Sequence, residues 1–224
     1  MNVVVTGGPS SEPIDQVRLI TNRSTGELGV ILAEAFWSRG HHVNLFLGRL
    51  SQFRHPQAAY FDRNEDLQRM LREINESESV NLVLHAAALA DFKVTAVRAG
   101  DQDIGRQKIG SDHQMLSLEL APKPKVIAGL RDCFSKALIV GWKLELEGSQ
   151  DDLIREAIQQ LKKNHTDACV INGPAFGAGF GFCSPQGLQS SFLSKLELAS
   201  FLVEWSERNV RSERCGRAGE PEDR

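Results

Sequence analysis

Five apolar runs alternate with helical patterns along the chain: 2–6 (NVVVT), 42–47 (HVNLFL), 80–88 (VNLVLHAAA), 137–142 (ALIVGW) and 167–172 (DACVIN). Each run is continuously apolar, as strands covered on both faces are. The segment 26–40 repeats apolar residues at Leu28, Ile31, Leu32, Ala35 and Phe36, a helical period that Gly40 stops. Residues 64–74 open on Asn64 as an N-cap with acidic residues in the first turn. An amphipathic helix is expected over 151–163, and a last one over 195–208. Strand–helix alternation of this kind predicts an α/β fold, a three-layer, Rossmann-like, mostly parallel sheet with helices on both faces. The run 115–120 (MLSLEL) reads as a half-exposed strand, and the Gly-, Pro- and Phe-rich segment 173–187 as loop. A single domain is expected over 1–209, followed by a charged, disordered tail at 210–224.

Composition removes several function classes. The chain is 41% hydrophobic and 25% charged with a formal net charge of −3, and its basic residues are scattered. No field of one sign points to nucleic acid or a membrane surface. No apolar run is long enough to span a bilayer, and MNVVVTGG enters a strand without the features of a signal peptide. Cys133, Cys169, Cys183 and Cys215 show no CxxC spacing, which argues against a zinc site. Cys169, inside an apolar run, reads as a small buried hydrophobe. A reduced, cytoplasmic protein is expected.

Binding sites in such sheets lie beyond the carboxyl ends of the strands. That rule singles out the loops 6–29, 48–63, 87–114, 141–150 and 172–187. Thr6, Gly7 and Gly8 let main-chain N–H groups approach phosphate oxygens. A dinucleotide-binding Rossmann unit is disfavoured: no GxGxxG occurs, the helix starts late, and the second strand ends FLGRL without a ribose-binding acid. No Walker A motif occurs either. In TNRSTGELG (21–29), Ser24 or Thr25 reads as a helix cap, whereas Asn22, Arg23 and Gly26 at the same helix N-terminus read as an anion site; both readings stay open. Ala86, Ala87 and Ala88 leave room for a flat ligand, and Asp91 suits a metal ion or a nucleotide hydroxyl, against a plain reading of tight packing and a turn cap. Lys108, between Gly105 and Gly110, suits charge neutralisation on phosphate, or is simply solvated. His85 reads as a core histidine, and no Ser-His-Asp or Cys-His order stands out.

Taken in order, VVVTGGPSSEPIDQVRLITNRSTGELG, HAAALADFKV, RQKIG, LSLELAPKPKVIAGL, VGWKLE and DACVIN resemble the phosphopantothenate–cysteine ligases of coenzyme A biosynthesis, also called phosphopantothenoylcysteine synthetases. The resemblance implies the ligase part alone, without a flavin-dependent decarboxylase half. It implies that a nucleoside triphosphate, CTP in preference to ATP, reacts at its α-phosphate with the carboxylate of 4′-phosphopantothenate. The acyl-nucleotide is then opened by the amine of cysteine, with Mg2+ on the triphosphate. Carried over by motif, Asn22 and Lys108 are catalytic. Gly7, Gly8, Ala86, Ala87, Ala88, Asp91, Lys108, Trp142 and Lys163 bind nucleotide. Asn22, Ser24, Thr25 and Gly26 bind substrate, and Asp91 is the candidate metal ligand. A homodimer is implied, and a separate flavoprotein decarboxylase as a partner.

Four positions depart from the family pattern by losing a positive charge: Ser11, Glu27, Gly110 and Gln160. Two rival readings follow. One is a Rossmann-type NAD(P)-dependent reductase using the same glycine turn; the other is a non-catalytic nucleotide-binding paralogue of the ligase.

Overall fold

The computed structural model describes residues 1–74, 79–105 and 107–217, with side chains through residue 210. The valines of β1 (Asn2–Gly7) are fully buried, and the chain then turns into a hairpin of β2 (Ser11–Pro13) and β3 (Leu19–Thr21). Helix α1 (Glu27–Ser38) and β4 (His42–Gly48) follow, then β5 (Ala58–Phe61), α2 (Asn64–Arg72) and β6 (Val80–His85). An antiparallel arm is made of β7 (Phe92–Ala99), β8 (Gln102–Asp103) and β9 (Ser117–Pro122). A 3₁₀ turn at Val126–Gly129 runs into α3 (Leu130–Cys133), and β10 (Leu138–Leu144), α4 (Gln150–Asn164) and β11 (Ala168–Asn172) complete the alternation. Strands β12 (Phe180–Ser184) and β13 (Gly187–Phe192) lead to α5 (Lys195–Arg217).

The eight-stranded sheet has the order β13-β12-β11-β10-β6-β1-β4-β5. Pairings from β5 to β11 are parallel; β12 and β13 add antiparallel. Strand order therefore reverses between β1, which pairs β4 on one side, and β6 on the other. That reversal is the topological switch point of a doubly wound sheet.

Layering follows from side-chain alternation. Leu32 and Phe36 of α1 and Leu202 of α5 pack against Val3, Val5, Leu82 and Leu84 on one face. Leu67 and Leu71 of α2 and Leu130 of α3 pack against Val4, Val83 and Ile139 on the other. On that second face α4 covers Cys169 and Ile171 through Leu153, Ala157 and Leu161. Cys169 is fully buried opposite Cys183, and burial pushes the Cys183 thiol up to about 11, so these thiols behave as packing groups. Among the described residues no helix is long and apolar enough to cross a membrane.

Several expectations are corrected. The span read as loop, 173–187, contains β12 and the start of β13. Asn64 is not a cap: it is the first residue of α2, and its side chain turns inward to Ser10 and Ala90. The run at β9 is exposed on both faces, not half-buried. Helix α5 continues to Arg217, past the expected end at 208, and the rest of the expected tail, 218–224, lies outside the described residues.

Candidate functional site

The glycine turn after β1, the β2–β3 hairpin, the start of α1 and the end of β6 meet at the switch point. Beyond β1 the chain stays beside the end of β6: Ala86 N donates to Thr6 O (3.0 Å), Ala88 N to Gly8 O (2.9 Å), and Ser10 N to Ala88 O (3.2 Å). The helix starts late because the β2–β3 hairpin is inserted between the glycine turn and α1. Gly8 and Gly26 both have positive φ (74° and 78°), and a Cβ on either would fall within 2.0 and 2.6 Å of Ser51 Oγ. Only glycine permits this three-way crossing. The Ser51 hydroxyl between them is buried without a partner among the described residues.

The start of α1 has a defined cap geometry. Gly26 occupies the N-cap position and offers no side chain, while Thr25 Oγ1 accepts the Glu27 N–H at 3.3 Å. Helix α1 thus begins with one first-turn amide satisfied by a hydroxyl, and its positive end faces the glycine turn. Glu27, the reversed charge in the motif, is ion-paired to Lys195 of α5. Asn22 is fixed by its amide nitrogen, which donates to Ala88 O (3.2 Å) and Leu89 O (2.9 Å). Both of its protons are thereby committed, and among the described residues Oδ1 has no donor, so it remains an acceptor.

Beside these residues lies a cavity of about 160 Å³. Its floor is His85 and Ala87 at the end of β6, and its walls are Ile127 of the 3₁₀ turn, Asn64 of α2 and Gln160 of α4. Asp91 and Lys125 line it as an ion pair (3.4 Å), both side chains mostly exposed. Gly141, opposite His85 in the β6–β10 register, keeps the space open: a Cβ there would meet Ile127 Cδ1 at 2.7 Å and Gln160 Nε2 at 3.1 Å. Gln160 Nε2 donates to Trp142 O (3.3 Å), and the Trp142 indole nitrogen is buried with no partner among the described residues. His85 is nearly buried, and desolvation pushes its pKa down to about 4, so the ring is neutral at physiological pH.

Of the predicted site residues, Ala87, Asp91 and Trp142 line the cavity, whereas Gly7, Gly8, Asn22, Ser24, Thr25, Gly26, Ala86, Ala88, Lys108 and Lys163 do not. Lys108 is exposed on the arm loop and does not line the cavity; the next residue, Ile109, is buried and held by Asp15 Oδ2 (3.3 Å to its N) and Arg18 (3.2 Å to its O). The motif aspartate Asp15 thus anchors the lysine loop. Its carboxyl is held below the usual carboxylate range, chiefly by the hydrogen bond from Val17 N. Lys163 is exposed on α4 and is absent from the cavity lining. Among the described residues no cluster of three or more His, Cys, Asp or Glu forms a metal cage; Asp91 is the carboxylate beside the cavity.

Sequence reasoning passed over Lys125, Asn64 and the cavity face of His85. For His85 the signal was present, since the terminal residue of a buried parallel strand points to the ligand crevice. It also passed over Lys123, which reaches from the arm to Glu12 of β2 (3.1 Å) and Glu65 of α2 (2.9 Å).

The strand order and the glycine-lined crevice at its reversal define a doubly wound α/β protein. The family model described as the DNA/pantothenate metabolism flavoprotein C-terminal domain matches residues 1–189, and the chain belongs to that family. It is 35% identical over 179 residues to the coenzyme A biosynthesis bifunctional protein CoaBC of Thermococcus kodakarensis, covering 79% of this chain and 42% of that one. Against the Haemophilus influenzae protein of the same description it is 30% identical, covering 91% of this chain and 50% of the relative. The chain therefore spans about half or less of the length of these relatives. The crystal structure of the DNA/pantothenate metabolism flavoprotein from Streptococcus pneumoniae superposes with a TM-score of 0.82 at 26% identity, covering 93% of this chain and 99% of that one. The family match bears out the resemblance read from the motifs.

Proposed function

We propose that the chain is a ligase of coenzyme A biosynthesis that joins 4′-phosphopantothenate to L-cysteine through an acyl-nucleotide, with CTP as the energy source. The observation that supports this reading most is the Asn22 side chain bonded to the Ala88 and Leu89 carbonyls, which brings the TNRSTGELG and HAAALADF segments into contact next to the cavity that Leu89 lines. The matching of the chain to CoaBC proteins supports the same pathway.

In the first step a carboxylate oxygen of phosphopantothenate attacks the α-phosphorus and pyrophosphate leaves. In the second the cysteine nitrogen attacks the acyl carbon, the nucleoside monophosphate leaves with the bonding electrons, and the amine proton passes to solvent or phosphate. Neither step needs a protein nucleophile; both need charge neutralisation and alignment. The glycine turn and the positive end of α1 receive phosphate oxygens. Asn22 Oδ1, the free acceptor, suits the N–H of the incoming amine. Lys108 closes on phosphate from the arm, whose loop Asp15 holds. Asp91, a single carboxylate, fits Mg2+ of the kind carried mainly by triphosphate oxygens, which adds charge neutralisation when bound. Ser24 and Thr25 lie on the substrate side of the same wall.

A homodimer belongs to this proposal. Phe92, Leu118 and Leu120 on the arm are exposed apolar residues, a surface that a second copy would cover. So does a flavoprotein decarboxylase acting on the product, and a cytoplasmic location. The two steps are tested separately by following pyrophosphate before cysteine is added. Release of pyrophosphate that requires phosphopantothenate, with CMP released only after cysteine, is the expected order; release independent of phosphopantothenate contradicts it.

A further inference from the structure

His85 offers the cavity a hydrogen bond that the fold does not use. Its Nδ1 lies 2.9 Å from Thr6 Oγ1, and that hydroxyl also accepts the Ala87 N–H at 3.4 Å. With Ala87 donating to it, the hydroxyl's own proton points to Nδ1, which makes Nδ1 the acceptor and leaves the ring proton on Nε2. Nε2 has no protein partner among the described residues, and it is not among the buried polar atoms that lack one. Since the residue is almost wholly covered yet lines the cavity, that nitrogen opens into the cavity.

Gln160 supplies the complementary group. Its Nε2 is occupied by Trp142 O and by the Cys169 sulfur (3.6 Å), which leaves Oε1 as an acceptor. Both residues border Gly141: His85 pairs with it across the β6–β10 register, and Gln160 Nε2 lies 3.1 Å from where a Cβ would be. A neutral donor and a neutral acceptor thus line the same cavity, on either side of a strand position with no side chain. The adjoining wall, Ile127 and Val126, is apolar.

We propose that His85 and Gln160 are the base-selecting residues of the nucleotide site, reading an amino-substituted nucleobase through its ring-nitrogen acceptor and its exocyclic amine. Cytosine and adenine present that pair on the Watson–Crick edge. Uracil and guanine present the reverse, a ring N–H and a carbonyl, and would set donor against donor and acceptor against acceptor. This inference rests on the nucleotide-dependent reading above.

The test is isothermal titration of the full chain with CTP, UTP, ATP and GTP, each with Mg2+ and without phosphopantothenate or cysteine. CTP is expected to bind at least about tenfold tighter than UTP, and ATP than GTP, from one mispaired polar edge. His85→Ala and, independently, Gln160→Met are each expected to lower both ratios, and the double variant to bring them close to one, while His85→Gln, which retains an N–H donor, keeps part of the preference. Equal affinity for all four in the unaltered chain, or ratios unchanged in both variants, overturns the assignment. Failure to make product with phosphopantothenate and cysteine while the amino-base preference persists overturns the ligase reading and supports this one; no binding of any nucleotide overturns both.

Discussion

Asn22 Nδ2 lies 2.9 Å from Leu89 O, joining the loop before α1 to the loop after β6. This bond makes one wall out of two segments that the chain separates widely, and it orients the free Oδ1 of the amide. Asn22→Ala is expected to lower turnover about 100-fold or more, the order seen when one stabilising group is removed from a preorganised site. The loss in stability is about 1 kcal/mol per hydrogen bond at most, since the residue is exposed. Steady-state kinetics with urea denaturation checks both; equal losses of binding and turnover would mean that the residue only shapes the pocket.

Lys123 and Glu12 form a buried ion pair between the arm and the hairpin, with Glu12 Oε1 also accepting the Val94 N–H at 3.2 Å. Lys123→Met leaves a buried carboxylate without its cation and is expected to cost about 3–5 kcal/mol. Adding Glu12→Gln removes the charge and keeps the acceptor for Val94, so the double variant recovers most of that loss in denaturant midpoint. A single variant within about 0.5 kcal/mol of the unaltered chain, the size of an ordinary surface change, would show that the pair contributes little.

Burial holds the His85 pKa at about 4 against the ordinary 6.5. The unfolded chain therefore carries a proton on this ring between those values that the folded chain does not. Its contribution to stability is complete above pH 6.5 and falls as pH drops towards 4, by about 1.4 kcal/mol per pH unit for one proton. In His85→Gln the stability curve loses this component between pH 6.5 and 4.5. Thermal melts of both chains across that range give the difference directly; parallel curves would contradict the buried, neutral ring.

Leu118 and Leu120 project from β9 with 37% and 47% of their surface exposed. If a second copy covers them, Leu118→Glu with Leu120→Glu shifts sedimentation from dimer to monomer and leaves the circular dichroism unchanged. A dimer that survives both changes places the interface elsewhere.

The parallel core was legible because its strands are continuous apolar runs: β1, β4, β6, β10 and β11 fall where Val, Ile and Leu cluster. The additions were not. Strands β2 and β3 are three residues each, too short for periodicity to show. Strand β12 hides behind glycine, because a Cβ at Gly181 would sit 2.8 Å from Ile171, Leu188 and Phe176; packing, not propensity, places that residue in a strand. The site divides in the same way. Gly8, Gly26, Asn22 and Asp91 were recognisable as a motif in sequence. The cavity face of His85, the Lys125–Asp91 pair and the Lys123–Glu12 tie depend on register and on contacts across the fold, which no local pattern encodes.

The most direct test of the central claim is mass-spectrometric detection of 4′-phosphopantothenoylcysteine from purified protein, Mg2+, 4′-phosphopantothenate, L-cysteine and either CTP or ATP. The account predicts product with CTP in preference to ATP, formed with one nucleoside monophosphate and one pyrophosphate per molecule, and lost in Asn22→Ala and Lys108→Ala. Absence of product with both nucleotides, from protein that binds them, would contradict it.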